Sequence, residues 1–196
     1  MYELADETAK SLRTEIIKSF RKTKERIYNL PPSTIDQIHL LYERILDLSV
    51  KAYKNLAEEA YGGEITEAWI LGILDDYDPV VKYVFINEIE RKGERLAEAV
   101  ISSAKENSTV NTPAVKKEFS KGLSYVTWQT DVFTITVEDA ARIRAMKEAG
   151  VEKVVWHTSE DEHVCEECEK RNKVVYPINA IPPKPHPNCR CYVTAF

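Results

Sequence analysis

Apolar residues recur along the first third of the chain at a helical interval. From Tyr2 to Tyr28, the positions Leu4, Leu12, Ile16, Phe20 and Ile27 fall at steps of about four or its multiples, the single apolar stripe of one long helix. The tandem prolines of "NLPPST" stop it, because proline lacks the amide hydrogen that a helix interior needs. Ser33 followed by Asp36 has the form of an N-cap with a returning carboxylate. A second helix then follows on Ile38, Leu41, Ile45, Leu48 and Ala52, and "YGGE" at 61–64 ends it. Two stripes joined by a short loop predict an antiparallel hairpin zipped along its apolar seam. Period alone does not say whether that seam closes within one chain, so the hairpin is also a candidate oligomer contact.

A shorter helix is predicted around "TEAWILGILDD", closed before Pro79. A longer one runs from about Val80 to Ala104, with Val81, Val84, Phe85, Ile89, Leu96 and Val100 inward. Gly93 within it is either a weak point or a site of close packing. The polar run "KENSTVNTP" reads as a linker closing on Pro113. The chain thus divides into a helical region (1–106), a linker (107–113) and a second module (114–196). That module starts with helices at about 114–130 and 137–149, the latter closed by Gly150. From Val151 the texture changes: "VEKVVWHT", "NKVVYP" and "RCYVTAF" are short β-branched and aromatic runs, read as two or three antiparallel strands.

Composition changes this picture in two places. At 196 residues, 43% hydrophobic and 30% charged, with a formal net charge of -5, the chain can bury a real core and has no bulk attraction for nucleic acid. DNA contact would need a local stripe. Lys10, Arg13, Lys18, Arg21, Lys22, Lys24 and Arg26 make the first helix the most basic stretch, although interspersed acids also suit a solvated face. The amino end "MYELADETAKSLRTEI" has no uninterrupted apolar stretch, so neither a secretory signal nor a membrane span is expected. A reducing cytoplasm is then the default compartment, where clustered cysteines hold metal more often than they pair.

All four cysteines lie near the carboxyl end. Cys165 and Cys168 form C-x-x-C; after seventeen residues, "HPNCRC" supplies His186, Cys189 and Cys191. Zinc prefers four ligands in a tetrahedron of thiolates and imidazoles. C-x-x-C brings two sulfurs to one side of an ion, and Pro183, Pro185 and Pro187 stiffen the loop that brings the others. Cys165, Cys168, His186 and Cys189 are the expected set, with Cys191 the alternative fourth ligand and His163 and His157 weaker competitors. Disulfides do not suit a reducing compartment, and a redox C-x-x-C would not explain the second half of the motif. A segment this short has little core of its own, and a bound zinc supplies on the order of 10 kcal/mol to fold such a piece. The fold class is therefore mainly α with a small zinc-stabilised antiparallel β module at the carboxyl end, an α+β arrangement.

Read as a unit, "EAGVEKVVWHTSEDEHVCEECEKRNKVVYPINAIPPKPHPNCRCYVTAF" resembles the phage head-morphogenesis family, minor head proteins of tailed phages typified by protein F of phage Mu. The matching positions are Gly150, Trp156, Asp161, Cys165, Cys168, Lys173 to Tyr176, His186, Pro187, Cys189, Arg190 and Cys191. Two positions depart from the pattern. Where the family often has Arg-Thr-Glu, this chain has Thr136, Val137 and Glu138; where a turn glycine is usual, it has Asn172, which tolerates a left-handed backbone. The resemblance implies a non-catalytic structural protein of the virion that binds the portal or the capsid interior, assists head assembly in the host cytoplasm, and can contact the packaged genome. With Phe196 five residues past Cys191, no appended toxin or transferase domain is expected.

Two rival readings use the same residues. A compact zinc nuclease or toxin would place His157, Asp161, Glu162 or His163 beside the ion; a nucleic-acid module would touch phosphates through the knuckle or first helix. No H-E-x-x-H, Walker loop, G-x-S-x-G or G-x-G-x-x-G occurs, and five donors for four places favour a closed site. Trp69, Trp128 and Trp156 are expected in the core or at packing surfaces, with a partner anchor the alternative for Trp128. His39, beside a buried stripe, is expected to pack rather than ligate.

Overall fold

The computed structural model describes residues 2–29, 34–76, 84–159 and 164–196. Each apolar stripe becomes a helix: α1 (Glu3–Asn29), α2 (Thr34–Tyr61), α3 (Glu67–Asp75), α4 (Phe85–Asn107) and α5 (Pro113–Glu148). Strand β1 (Lys153–His157), the short helix α6 (Glu166–Arg171), β2 (Val175–Pro177) and β3 (Tyr192–Ala195) complete the chain. The expectations resting on Ser33, Pro79, Val80, Val81, Asp161, Glu162 and His163 lie outside the described residues.

The hairpin seam closes inside the chain. Leu12, Ile16, Phe20 and Ile27 of α1 share one apolar cluster with Ile38, Leu41 and Ile45 of α2, Phe85, Ile89, Leu96 and Val100 of α4, and Val115, Phe119, Val126, Phe133 and Val137 of α5. Beyond Ile45 the buried face of α2 moves to Ser49, Val50, Tyr53, Leu56 and Ala57, whereas the expected Leu48 and Ala52 are only half-buried. A helix of 3.6 residues per turn drifts away from a strict three-four stripe over this length. Gly62, with φ +80, ends α2 where the glycine pair predicted. His39 is exposed, correcting the expectation that it packs.

The predicted pair of helices at 114–130 and 137–149 is one helix. The interruption expected between 130 and 137 does not occur, and α5 passes through that stretch unbroken. Thr127, Thr134 and Thr136 donate their hydroxyls to the carbonyls of Leu123, Thr130 and Val132, sharing acceptors the helix already uses, so these side chains are satisfied within the helix. Burial on two sides then fixes the conformation: Phe133 and Val137 face the bundle, while Ile135 packs with Tyr2 and Ala5 of α1 and with Tyr192 of β3. The linker is shorter than predicted, because α4 continues to Asn107, and it is pinned at 2.7 Å by a hydrogen bond between Ser103 and Thr112. Thr112 caps α5 and Pro113 opens it. The linker therefore separates two helices that share a core rather than two cores.

Gly93 and Gly122 take Tyr42 between them. A Cβ on Gly93 would lie 3.1 Å from Cδ2 of the Tyr42 ring, and one on Gly122 would overlap its hydroxyl oxygen. The ring cannot swing aside, since Phe20 packs edge-on against it at 5.9 Å between centroids. Gly122→Ala should therefore destabilise the protein by about 1–2 kcal/mol, overpacking outweighing the gain in helix propensity. Adding Tyr42→Phe, which removes the obstructing oxygen, should recover most of that loss in a denaturant-unfolding cycle. Additive effects would show that the hydroxyl is not the obstacle.

The sheet has the order β2-β1-β3, with both neighbours antiparallel to β1. Val155 faces Val175 on one side and Thr194 on the other. It stands at the end of α5, where Gly150 at φ +78 turns the chain out of the helix.

Candidate metal centre

The β module has a small hydrocarbon interior, with Val154, Trp156 and Ile178 its buried apolar side chains beside the cysteines among the described residues. Its buried cluster consists of Trp156, Cys168, Cys189 and Cys191, rimmed by Val164, Cys165, Tyr176, Ile181 and Val193. Three of the four buried members of this cluster are thus cysteines.

Local geometry delivers each donor. Cys165 is the N-cap of α6, and its Sγ accepts from the Cys168 amide at 3.4 Å. One helical turn separates the two sulfurs and leaves them on the same side. In "HPNC", Pro187 precedes Asn188, whose φ is 59, and the Cys189 amide donates to the His186 carbonyl at 3.3 Å. Proline followed by a left-handed asparagine makes the tight turn that sets His186 beside Cys189.

These turns converge on Cys168. Its Sγ lies 3.5 Å from Cys189 Sγ and 3.8 Å from His186 Nε2. Donor atoms of Cys165, Cys168 and His186 lie within 4.8 Å of one another, as do those of Cys168, Cys189 and Cys191. A tetrahedral zinc with Zn–S near 2.3 Å spaces its sulfurs by about 3.8 Å, so this spacing fits such an ion. All four cysteines are free thiols. His186 Nδ1 lies 3.0 Å from the Pro187 carbonyl oxygen, which only accepts, so the proton sits on Nδ1 and Nε2 presents its lone pair to Cys168. The cleft around these donors measures ≈ 190 Å³, below the range of about 300–1,000 Å³ for small-molecule pockets. It suits an ion without a substrate.

The thiols do not share one electrostatic environment. The Cys168 amide holds the Cys165 thiol below its ordinary pKa. Burial pushes the thiols of Cys168 and Cys189 up, and neighbouring cysteines add to the shift at Cys168. Several thiolates cannot coexist in so small a dry space without a cation, and a divalent metal supplies that charge. Metal uptake here would accordingly release protons.

Behind the donors, the loop is tied to the rest of the chain. Lys184 Nζ donates to the Cys189 carbonyl at 3.0 Å and to the Tyr2 hydroxyl at 2.7 Å, and it pairs with Asp139 at 2.5 Å. The Tyr2 hydroxyl lies 2.6 Å from Asp139 Oδ1 and 2.8 Å from the Cys191 carbonyl oxygen, with one proton to share between them. Arg190, between two candidate ligands, grips Asp6 through both terminal nitrogens at 3.0 and 2.7 Å. That guanidinium holds the Asp6 carboxyl below the usual carboxylate range. Glu138, fully buried, accepts from the Ala5 amide at 3.0 Å and from Arg142 at 2.9 Å, capping α1 from another helix.

The other predicted residues fall as follows. Trp156 is buried under the cluster, with the Arg171 guanidinium 5.3 Å from its ring centroid. His157 is occupied in the sheet, stacked on Tyr192 at 5.0 Å and 2.8 Å from Thr194 Oγ1, and belongs to neither donor group. Asn172 does not take the left-handed conformation expected of it. Its φ is -59, and the next residue, Lys173, carries φ 63 while the Val174 amide closes the turn on Arg171. Asn172 instead accepts from the Thr158 amide at 3.3 Å, which anchors it one place earlier in the turn. Tyr2, Asp139 and Lys184 escaped the sequence reading; only the isolated lysine within "PPKPHP" hinted at a role. Along the basic stretch of α1, Arg13, Lys18 and Arg21 are paired with Asp131, Glu15 and Glu25, as a solvated face requires. Among the described residues, no helix is long and apolar enough to cross a membrane.

Comparison with known proteins agrees with this arrangement. The family model described as Phage Mu protein F like protein matches residues 93–194, just over half of the chain. That span holds α5, the sheet and all five donors. No curated protein and no solved structure matches the chain. The chain belongs to the Phage Mu protein F like family, a family of structural phage proteins related to the head.

Proposed function

We propose that this protein is a minor head protein of a tailed virus or provirus, carried in the virion and docked on the portal or the adjoining capsid interior. The family membership carries this reading. Its mechanism is docking without catalysis: a metal-stiffened knuckle presents a fixed surface at the end of a helical bundle. Cys165, Cys168 and His186 hold a structural zinc, and one of Cys189 and Cys191 completes the four, since both stand beside Cys168. The small cleft and His157's engagement in the sheet support a closed centre over a hydrolytic one.

The test is the protein content of purified particles. Mass spectrometry of virions whose genome encodes this chain should find it in a few copies per particle, crosslinked to portal or capsid protein. Its absence from complete, infectious particles would overturn the proposal.

A further inference from the structure

Nothing in the family match explains why the metal-binding loop reaches the opposite end of the sequence. The first turn of α1 makes its specific polar contacts with two elements, α5 and the loop 184–191. Tyr2, 1% exposed, meets the carbonyl of Cys191 and the ammonium of Lys184; Asp6 meets Arg190. These partners lie 182 to 189 positions away, and two of them are backbone or side-chain groups of candidate ligand residues or their immediate neighbours. Lys184 closes the arrangement, because one ammonium bridges Cys189, Tyr2 and Asp139. Arg190 also lies 5.6 Å from the centroid of the Tyr2 ring, so the same side chain covers the ring and pairs with the acid one turn on.

We infer that the loop 184–191 is a metal-set clasp for the amino-terminal turn of α1: metal uptake and docking of Tyr2 and Asp6 form one linked equilibrium. The inference rests on the metal-centre reading proposed above. Its physical basis is that the carbonyls of Cys189 and Cys191 point at the clasp only while both sulfurs face Cys168. Three of the module's six buried side chains are cysteines, which give that orientation little apolar support without an ion. Releasing the metal frees the loop and removes Cys191 and Lys184 from Tyr2 and Arg190 from Asp6 together, leaving Tyr2 its bond to Asp139. The remainder of α1 stays in the bundle core through Leu12, Ile16 and Phe20. Linkage requires reciprocity: whatever factor the metal contributes to docking, docking contributes to metal affinity.

Two measurements on the full chain test this. Hydrogen exchange is compared between zinc-loaded protein and protein stripped with a chelator under reducing conditions. Amides of residues 2–12 should exchange at least about fivefold faster in the stripped protein, while those of 119–130 stay unchanged. Separately, zinc affinity is measured by competition with a chromophoric chelator. Tyr2→Phe and Asp6→Asn, neither of which touches a donor atom, should each weaken it by about fivefold or more. A chain that binds no zinc at all would overturn the metal-centre reading, and the clasp with it. Zinc bound stoichiometrically with identical exchange over 2–12, or with parental affinity in both variants, would overturn the clasp alone.

Discussion

Cys168→Ala should abolish stoichiometric metal binding and unfold the β module, while the helical bundle keeps its circular dichroism signal. Cys168 is the one donor shared by both triads, so without it the four that remain lose the sulfur that joins them. Cys165 with His186, or Cys189 with Cys191, would each be left as an incomplete pair. The module's buried cluster would then retain Trp156 and two unpartnered thiols. A metal contributes on the order of 10 kcal/mol to folding a segment of this kind, no less than its few buried side chains supply. Elemental analysis of the reduced variant should find no metal. Fast exchange at the amides of β1 and β3 should accompany a red-shifted contribution from Trp156. One equivalent of zinc with native exchange in the variant would show that the hub lies elsewhere. The bundle survives because its cluster draws on α1, α2, α4 and α5 and none of the cysteines.

Glu138→Ala should cost about 2–4 kcal/mol of stability, a fall in Tm of roughly 5–15 °C for a chain of this size. The carboxylate is fully buried and serves two donors, the Ala5 amide and the Arg142 guanidinium. Its removal leaves a helix-end amide without an acceptor in a dry site. The Arg142 side chain is 37% exposed, so water screens part of that pair and the larger share of the loss comes from the amide. Glu138→Gln retains an acceptor for Ala5 and should recover about half of the loss. Chemical unfolding of the three proteins decides the matter. An alanine variant within 0.5 kcal/mol of the parent would mean that α1 does not depend on this borrowed cap.

The helices were legible because each buries one face, and a one-sided stripe leaves its period in the sequence. Where burial is two-sided the period disappears. The middle of α5 lies between the bundle and the Tyr2–Tyr192 contact, so no one-sided stripe joined the two helices expected there. The cluster of candidate donors was legible for a different reason: a tetrahedral ion would constrain spacing, and C-x-x-C with HPNCRC has a spacing that fits one. The choice among five donors was not legible, since it depends on angles at one sulfur. Nor was the clasp. Glu138 is 133 positions from the amide it caps, and no local pattern encodes a partner at that distance. The turn at Asn172 and Lys173 shows the same limit on a small scale, since one hydrogen bond to Thr158 decides which residue takes the left-handed conformation.

The notch that receives Tyr42 bears on where this fold can be cut. Gly93 and Gly122 fall inside the family-matched segment, and the ring they accommodate is donated from outside it. Residues 93–194 made by themselves would therefore carry an empty slot along α5 and a buried carboxylate at 138 with no amide to receive. A stretch recognised by likeness of sequence is here only part of a folding unit, and the preceding hairpin is its missing wall.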